Sequence, residues 1–176
     1  MTERARVMRL GYISLPGRGA SDAFLSAVAR ALQGHLRLCG TVQTNTARAD
    51  RTKCDMDLQL LGSDTVLRIS EDRGAFARGC TLDTSVLAQA VAATEAALQG
   101  ADLLIVNKFG KTEAAGHGFA PVIGEALCRD VPVLVGVNGL NLPAFAVYAD
   151  GLAEGLPADM ALVTEWCLRA GLRTAA

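Results

Sequence analysis

Apolar and polar residues alternate from Val7 to Leu15 and stop at Pro16-Gly17, which predicts a strand. From Ser21 to Gln33 the period changes. Phe24, Leu25, Val28, Ala31 and Leu32 recur at helical spacing, with Ser21 or Asp22 as the cap and Gly34 as the stop. Leu38 to Gln43 predicts a second short strand, and residues 44–54 form a polar loop carrying Arg48, Arg51 and Lys53. Asp55–Leu61 and Thr65–Ser70 read as the two arms of a hairpin that turns at Gly62-Ser63-Asp64. A second polar loop, "EDRGAFARGCTLD", precedes the strongest helical pattern, Thr84 to Gln99. There Val86, Leu87, Ala90, Val91, Thr94, Ala97 and Leu98 share one face and Asp83 is placed as the cap. Asp102–Val106 and Pro132–Val137 are continuous apolar runs, the pattern of strands buried on both faces. Helices are predicted over Phe119–Cys128, with Pro121 in the first turn, and over Leu142–Tyr148 and Ala158–Ala170.

Strands alternating with helices predict an α/β fold, a three-layer sandwich around a mainly parallel sheet, with the hairpin at about 55–70 as an insertion. The 176 residues fit one domain. Ligands in such sheets bind beyond the carboxyl ends of the strands. Three predicted strand ends lead into Gly- or Asn-containing loops: Leu15-Pro16-Gly17, Val106-Asn107-Lys108 and Val137-Asn138-Gly139.

Composition narrows the functional classes. Hydrophobic residues make up 51% and charged residues 20%, enough for a core and too apolar for disorder. A net charge of −1 provides no field for nucleic acid, and 5% aromatics provide few stacking platforms. No apolar run reaches the ~20 residues needed to cross a bilayer, and the first residues lack the apolar core of a secretion signal. The expectation is a cytoplasmic protein with no membrane or nucleic-acid partner. Five cysteines without a CxxC pair give no metal or disulfide signature; Cys54 and Cys80 flank the hairpin in polar surroundings.

The candidate chemistry lies in three stretches. "SLPGRGAS" joins a strand to a helix through Gly17, Arg18, Gly19, Ala20 and Ser21, the outline of a phosphate-binding loop. Ser21 occupies the place of the hydroxyl residue, Ser14 that of the first glycine, and Ala20 that of the lysine. In "ADLLIVNKFGKTEAAGHGFAP", Asn107 and Lys108 stand where a nucleotide hydrolase places acids to hold Mg²⁺. That reversal of charge disfavours tight Mg²⁺ and favours a bare anion, with Lys108 and Lys111 as cationic donors. Glu113 is a candidate for positioning water, or a helix N-terminal charge. Arg73 and Arg78, each beside a glycine, suit a tetrahedral oxyanion because guanidinium forks match its geometry.

The stretches "CDMDLQLL", "ISEDRGAFARGCTLD", "ADLLIVNKFGKTEAAGHGFAPVIGEAL" and "VPVLVGV" resemble a family of bacterial proteins of unknown function. That family is similar to the thermophile-type nucleoside triphosphatases, and its members are often encoded beside molybdenum-transport genes. The resemblance spans residues 7–156 and implies a P-loop-like fold. Relatives with hydrolase character carry Gly-Lys-Thr in the first loop and Asp-Glu before the Gly-Lys pair, which this chain lacks. The leading expectation is therefore a protein that binds an oxyanion, molybdate or tungstate, or the phosphate of ATP or GTP. Its donors would be Arg18, Ser21, Arg73, Arg78, Lys108 and Lys111. The alternatives are a nucleoside triphosphatase or phosphotransferase using Lys111 and Glu113, and a regulatory or homo-oligomeric module whose neighbouring chains complete the anion site.

Overall fold

A computed structural model of the chain describes residues 9–74, 76 and 82–172. Its elements in chain order are β1 (Leu10–Ile13), α1 (Ala20–Leu32), β2 (Leu38–Thr46), β3 (Asp55–Leu60), β4 (Val66–Arg68), α2 (Thr84–Ala97) and β5 (Leu103–Phe109). These are followed by α3 (Lys111–Ala114), α4 (Ala120–Cys128), β6 (Val133–Val137), α5 (Leu142–Ala149), β7 (Ala153–Gly155) and α6 (Met160–Leu172). One seven-stranded sheet runs β4-β3-β2-β5-β6-β1-β7. The five strands from β2 to β7 are parallel, while β3 and β4 extend the β2 edge in antiparallel fashion.

Two apolar cores cover the two faces of this sheet. Leu25, Val28 and Leu32 of α1 and Val163 and Cys167 of α6 pack on Leu103, Ile105 and Leu134. On the other face Ala90 of α2, Ile123 and Ala126 of α4, and Phe145 of α5 pack on Leu104, Val106 and Val135. β5 and β6 contribute alternate residues to both cores, which explains their unbroken apolar runs. Phe109, Phe145, Tyr12 and Tyr148 interlock at centroid distances of 5.1–6.5 Å, closing the second core beneath α5.

The predicted three-layer α/β architecture is thus present, with differences at the ends of elements. α1 begins at Ala20; its N-cap is Gly19 in the left-handed region, and neither Ser21 nor Asp22 caps it. Asp83 does cap α2, accepting the N–H groups of Ser85 and Val86. β2 runs three residues beyond its predicted end, to Thr46, because β3 pairs along its whole outer half, from Thr41↔Leu60 to Thr46↔Asp55. The hairpin inserted between β2 and α2 extends the sheet at its β2 edge. The three-residue β7 carries no periodic signal and exists because it pairs with β1.

β2 bends against β5 at Gly40, which has φ +105°; a Cβ there would collide with the Ile105 carbonyl oxygen. Replacing it adds a forbidden dihedral to a backbone clash in the buried centre of the sheet. Gly40→Ala is expected to cost on the order of 3 kcal/mol or more, seen as a fall in the urea midpoint.

Candidate functional site

β5 and β6 fall out of step just before their carboxyl ends. Val106 pairs with Val135 and Phe109 with Val137, so β5 carries one extra residue against β6. Asn107 keeps the alternation of β5, buried on the α1 face after Ile105, whereas the extra residue leaves Lys108 exposed and returns Phe109 to the opposite core with Val106. Gly136 lies close by, and a Cβ at that position would collide with the Asn107 carbonyl. Asn107 acts as a connector. Its Oδ1 accepts the Gln43 backbone N–H of β2 at 2.9 Å, and its Nδ2 donates to Asp22 Oδ1 of α1 at 2.8 Å. A second amide closes the ring: Asn45 Nδ2 donates to Asp22 Oδ2 at 2.6 Å, and Gln43 Nε2 donates to Asn45 Oδ1 at 2.7 Å.

This polar ring forms one wall of a cleft of about 420 Å³, within the size range of small-molecule sites. The cleft is also lined by Gly17, Arg18, Gly19 and Ser21 from the β1–α1 loop, Lys53 and Cys54 before β3, Lys108 of β5, and Asn138 after β6. Gly17 and Gly19 have φ of +97° and +75°, the left-handed conformations that let the loop fold back over the start of α1. Ser21 Oγ accepts the Leu15 N–H at 3.3 Å, so its own proton remains available to a ligand. The first-turn N–H groups of Ser21 and Asp22 have no bond to a described residue, as expected at a helix N-terminus.

Three cations reach this space from separate segments: Arg18, Lys53 and Lys108. Among the described residues none of them is in an ion pair. The neighbouring arginines are committed elsewhere. Arg48 pairs with Asp50 and Asp55 at 3.1 Å, and Arg51 pairs with Asp72 at 2.9 Å and Asp50 at 3.1 Å. These guanidinium groups hold the Asp50 and Asp72 carboxyls well below the usual range. The pairs fix the 47–54 segment and leave Lys53 as its one unpaired basic side chain.

The residues expected from the sequence therefore divide. Gly17, Arg18, Gly19, Ser21, Asn107 and Lys108 converge on the cleft, and Ala20 opens α1 directly behind the loop. Lys111 begins α3 and is exposed, outside the cleft wall. Arg73 is also outside it and is held by Glu71 at 2.6 Å. Arg78 and Cys80 lie outside the described residues. Glu113 is buried, with both oxygens engaged: Oε2 accepts the Gly110 N–H at 3.0 Å and Oε1 the Phe119 N–H at 3.1 Å. That arrangement ties the 110–119 loop into a knot; the water-positioning role would need these oxygens free. Asp22, Gln43, Asn45 and Lys53 complete the site, and sequence reasoning did not place them there; Asn138 lies at the third of the strand ends expected to carry it. Asp22 resembles an ordinary helix cap, and only the pairing of the extended β2 reveals Asn45.

The fold is a three-layer α/β sandwich with a cleft at the carboxyl ends of its parallel strands. A human cancer-related nucleoside triphosphatase, solved in solution, shares the fold with a TM-score of 0.51 and 16% identity over 92% of this chain and 84% of that one. THEP1 from the hyperthermophile Aquifex aeolicus aligns with a TM-score of 0.49 and 13% identity, over 90% of this chain and 95% of that one. The chain belongs to the family described as a protein of unknown function (DUF2478), which matches residues 10–166. It is also 32% identical over 133 residues to the molybdenum import ATP-binding protein ModC 2 of Bradyrhizobium diazoefficiens. The match covers 74% of this chain and spans 15% of that protein's length. Among the described residues no helix is long and apolar enough to cross a membrane.

Two outcomes test this geometry. Glu113→Gln retains one acceptor but turns an amide N–H toward the other backbone donor. It should lose about 1–3 kcal/mol of unfolding free energy, the cost of an unsatisfied buried group, without weakening ligand binding by the folded protein. Thiol labelling at pH 8 should modify Cys54 and spare Cys39 and Cys167, whose buried thiols are pushed up to about 12; a ligand in the cleft should slow the Cys54 reaction.

Proposed function

We propose that the cleft binds a phosphate group, free or carried by a nucleotide, and that it holds the group without splitting it. The observation that carries this reading is the convergence of Arg18, Lys53 and Lys108 with the Gly17–Ser21 loop on one space. The helix start adds its dipole and free N–H groups to these side-chain charges. Among the described residues Asp22 is the one carboxylate in that wall, and each of its oxygens already accepts an amide proton. A magnesium-dependent hydrolase relies on a loop lysine and an acid at the strand end. Ala20 and Asn107 occupy those places.

The relationship to nucleoside triphosphatases supports a nucleotide at the fold level. A second reading, molybdate or tungstate as the anion, is favoured by the 32% identity to a protein named for molybdenum import. In that reading the domain serves metal-oxyanion uptake by binding the cargo or sensing it.

Titration calorimetry with phosphate, ADP, ATP, molybdate and tungstate tests both readings. At least one of these anions should bind. Arg18→Ala and Lys108→Ala should each weaken the interaction about five-fold, corresponding to ~1 kcal/mol for a partly solvated charge contact. Steady ATP turnover with magnesium, abolished by Lys108→Ala, would instead make the domain a hydrolase.

A further inference from the structure

We propose that Asp22 makes the cleft selective for an oxyanion that still carries a proton, hydrogenphosphate, over the fully deprotonated tetrahedral anions sulfate, molybdate and tungstate. The inference rests on the anion-site reading above and decides within it. Asp22 follows Ser21 directly in the first turn of α1 and lines the same cleft as Arg18, Lys53 and Lys108. Its carboxylate lies against the loop itself: a Cβ on Gly19 would stand 3.9 Å from Asp22 Oδ2 and 3.4 Å from Asn45 Nδ2. Any anion seated on the Gly17–Ser21 loop therefore has this carboxylate as a neighbour.

The carboxylate has no cation of its own. Among the described residues no lysine, arginine or histidine is in an ion pair with Asp22; it is held by the two amide groups of Asn45 and Asn107. Asn107 is fixed in orientation by a backbone donor, and Asn45 is set together with the Gln43 amide. Asn107 must turn its oxygen to the Gln43 N–H, and Asn45 turns its oxygen to Gln43 Nε2, so each presents N–H to Asp22. An ionised carboxylate has about four lone-pair sites and no donor. Two of these sites are filled, and the remainder can only accept. A ligand oxygen facing them must bring a hydrogen, or two acceptors meet across the gap and repel.

Hydrogenphosphate has one such O–H at neutral pH, whereas sulfate, molybdate and tungstate have none. The other donors do not discriminate: Ser21 Oγ–H, the loop N–H groups and the three cations serve any tetrahedral dianion. Selection of this kind depends on leaving the half-buried Asp22 acceptor without a donor from the wrong ligand, which discriminates by chemistry where size differs little.

The test is calorimetry in EDTA at pH 7.5, with the full chain and sodium salts of phosphate, sulfate, molybdate and tungstate. Phosphate is expected to bind at least ten-fold more tightly than the other three. Asp22→Asn should reduce phosphate affinity ten-fold or more and raise sulfate and molybdate to parity. Rotation of the Asn45 and Gln43 amides keeps the ring bonded in this variant, and an unchanged melting curve confirms its fold. ATP titrated in parallel separates a nucleotide-borne phosphate from the free ion: its terminal phosphate is mostly deprotonated at this pH, so ATP binding as tight as that of phosphate overturns the proton requirement. Equal wild-type affinity for phosphate and sulfate overturns the role of Asp22 and leaves the anion site standing. So does a phosphate preference that survives Asp22→Asn, or phosphate binding that needs added magnesium. Absence of binding by every anion overturns both the selectivity and the site.

Discussion

The buried amide of Asn107 is the interaction on which the cleft depends. It follows Ile105 on the α1 face of β5, at the end of the sheet, and bridges β2, β5 and α1. The absence of a side chain at position 136 lets the β6 backbone lie against the Asn107 carbonyl. The polar ring and the seating of Asp22 follow from this amide, and the extra residue beside it leaves Lys108 exposed while Phe109 returns to the opposite core.

Electrostatics then separates this site from that of a phosphoryl-transfer enzyme on a similar frame. There, one lysine inside the loop and acids at the strand end divide the work between phosphate and metal. Here the positive charge comes from three segments distant in sequence, at the rim rather than the centre. Under the proposed anion-binding function, each of these partly solvated charges attracts the ligand by on the order of 1–4 kcal/mol. Among the described residues the one carboxylate of the cleft wall, Asp22, is held by amide groups rather than by a cation.

The layered architecture was legible because it depends on burial. The apolar runs of β5 and β6, the periodic faces of α1 and α2 and the Asp83 cap all carry local signals that tertiary contacts reinforce. Half of the cleft was legible for a similar reason: Gly17, Gly19 and Ser21 are a turn between a strand and a helix, and turn chemistry is local. What escaped depends on partners distant in the chain. Asn45 lies in a polar stretch that becomes strand only because β3 pairs with it, and Asp22 looks like a helix cap until Asn107 reaches it. Glu113 misled in the opposite direction. An acid near a Gly-Lys pair suggests catalysis, yet its oxygens bind the N–H groups of Gly110 and Phe119, a role that only loop closure discloses.

The two margins of the sheet are its shortest strands, three residues each in β4 and β7. So few free N–H and C=O groups offer another chain almost nothing to zip onto. The β4 side is guarded further by Arg68, whose guanidinium is drawn toward Asp57 and Asp55 and covers the rim with charge. A domain built on largely apolar central strands thereby keeps them from becoming a template for fibre growth.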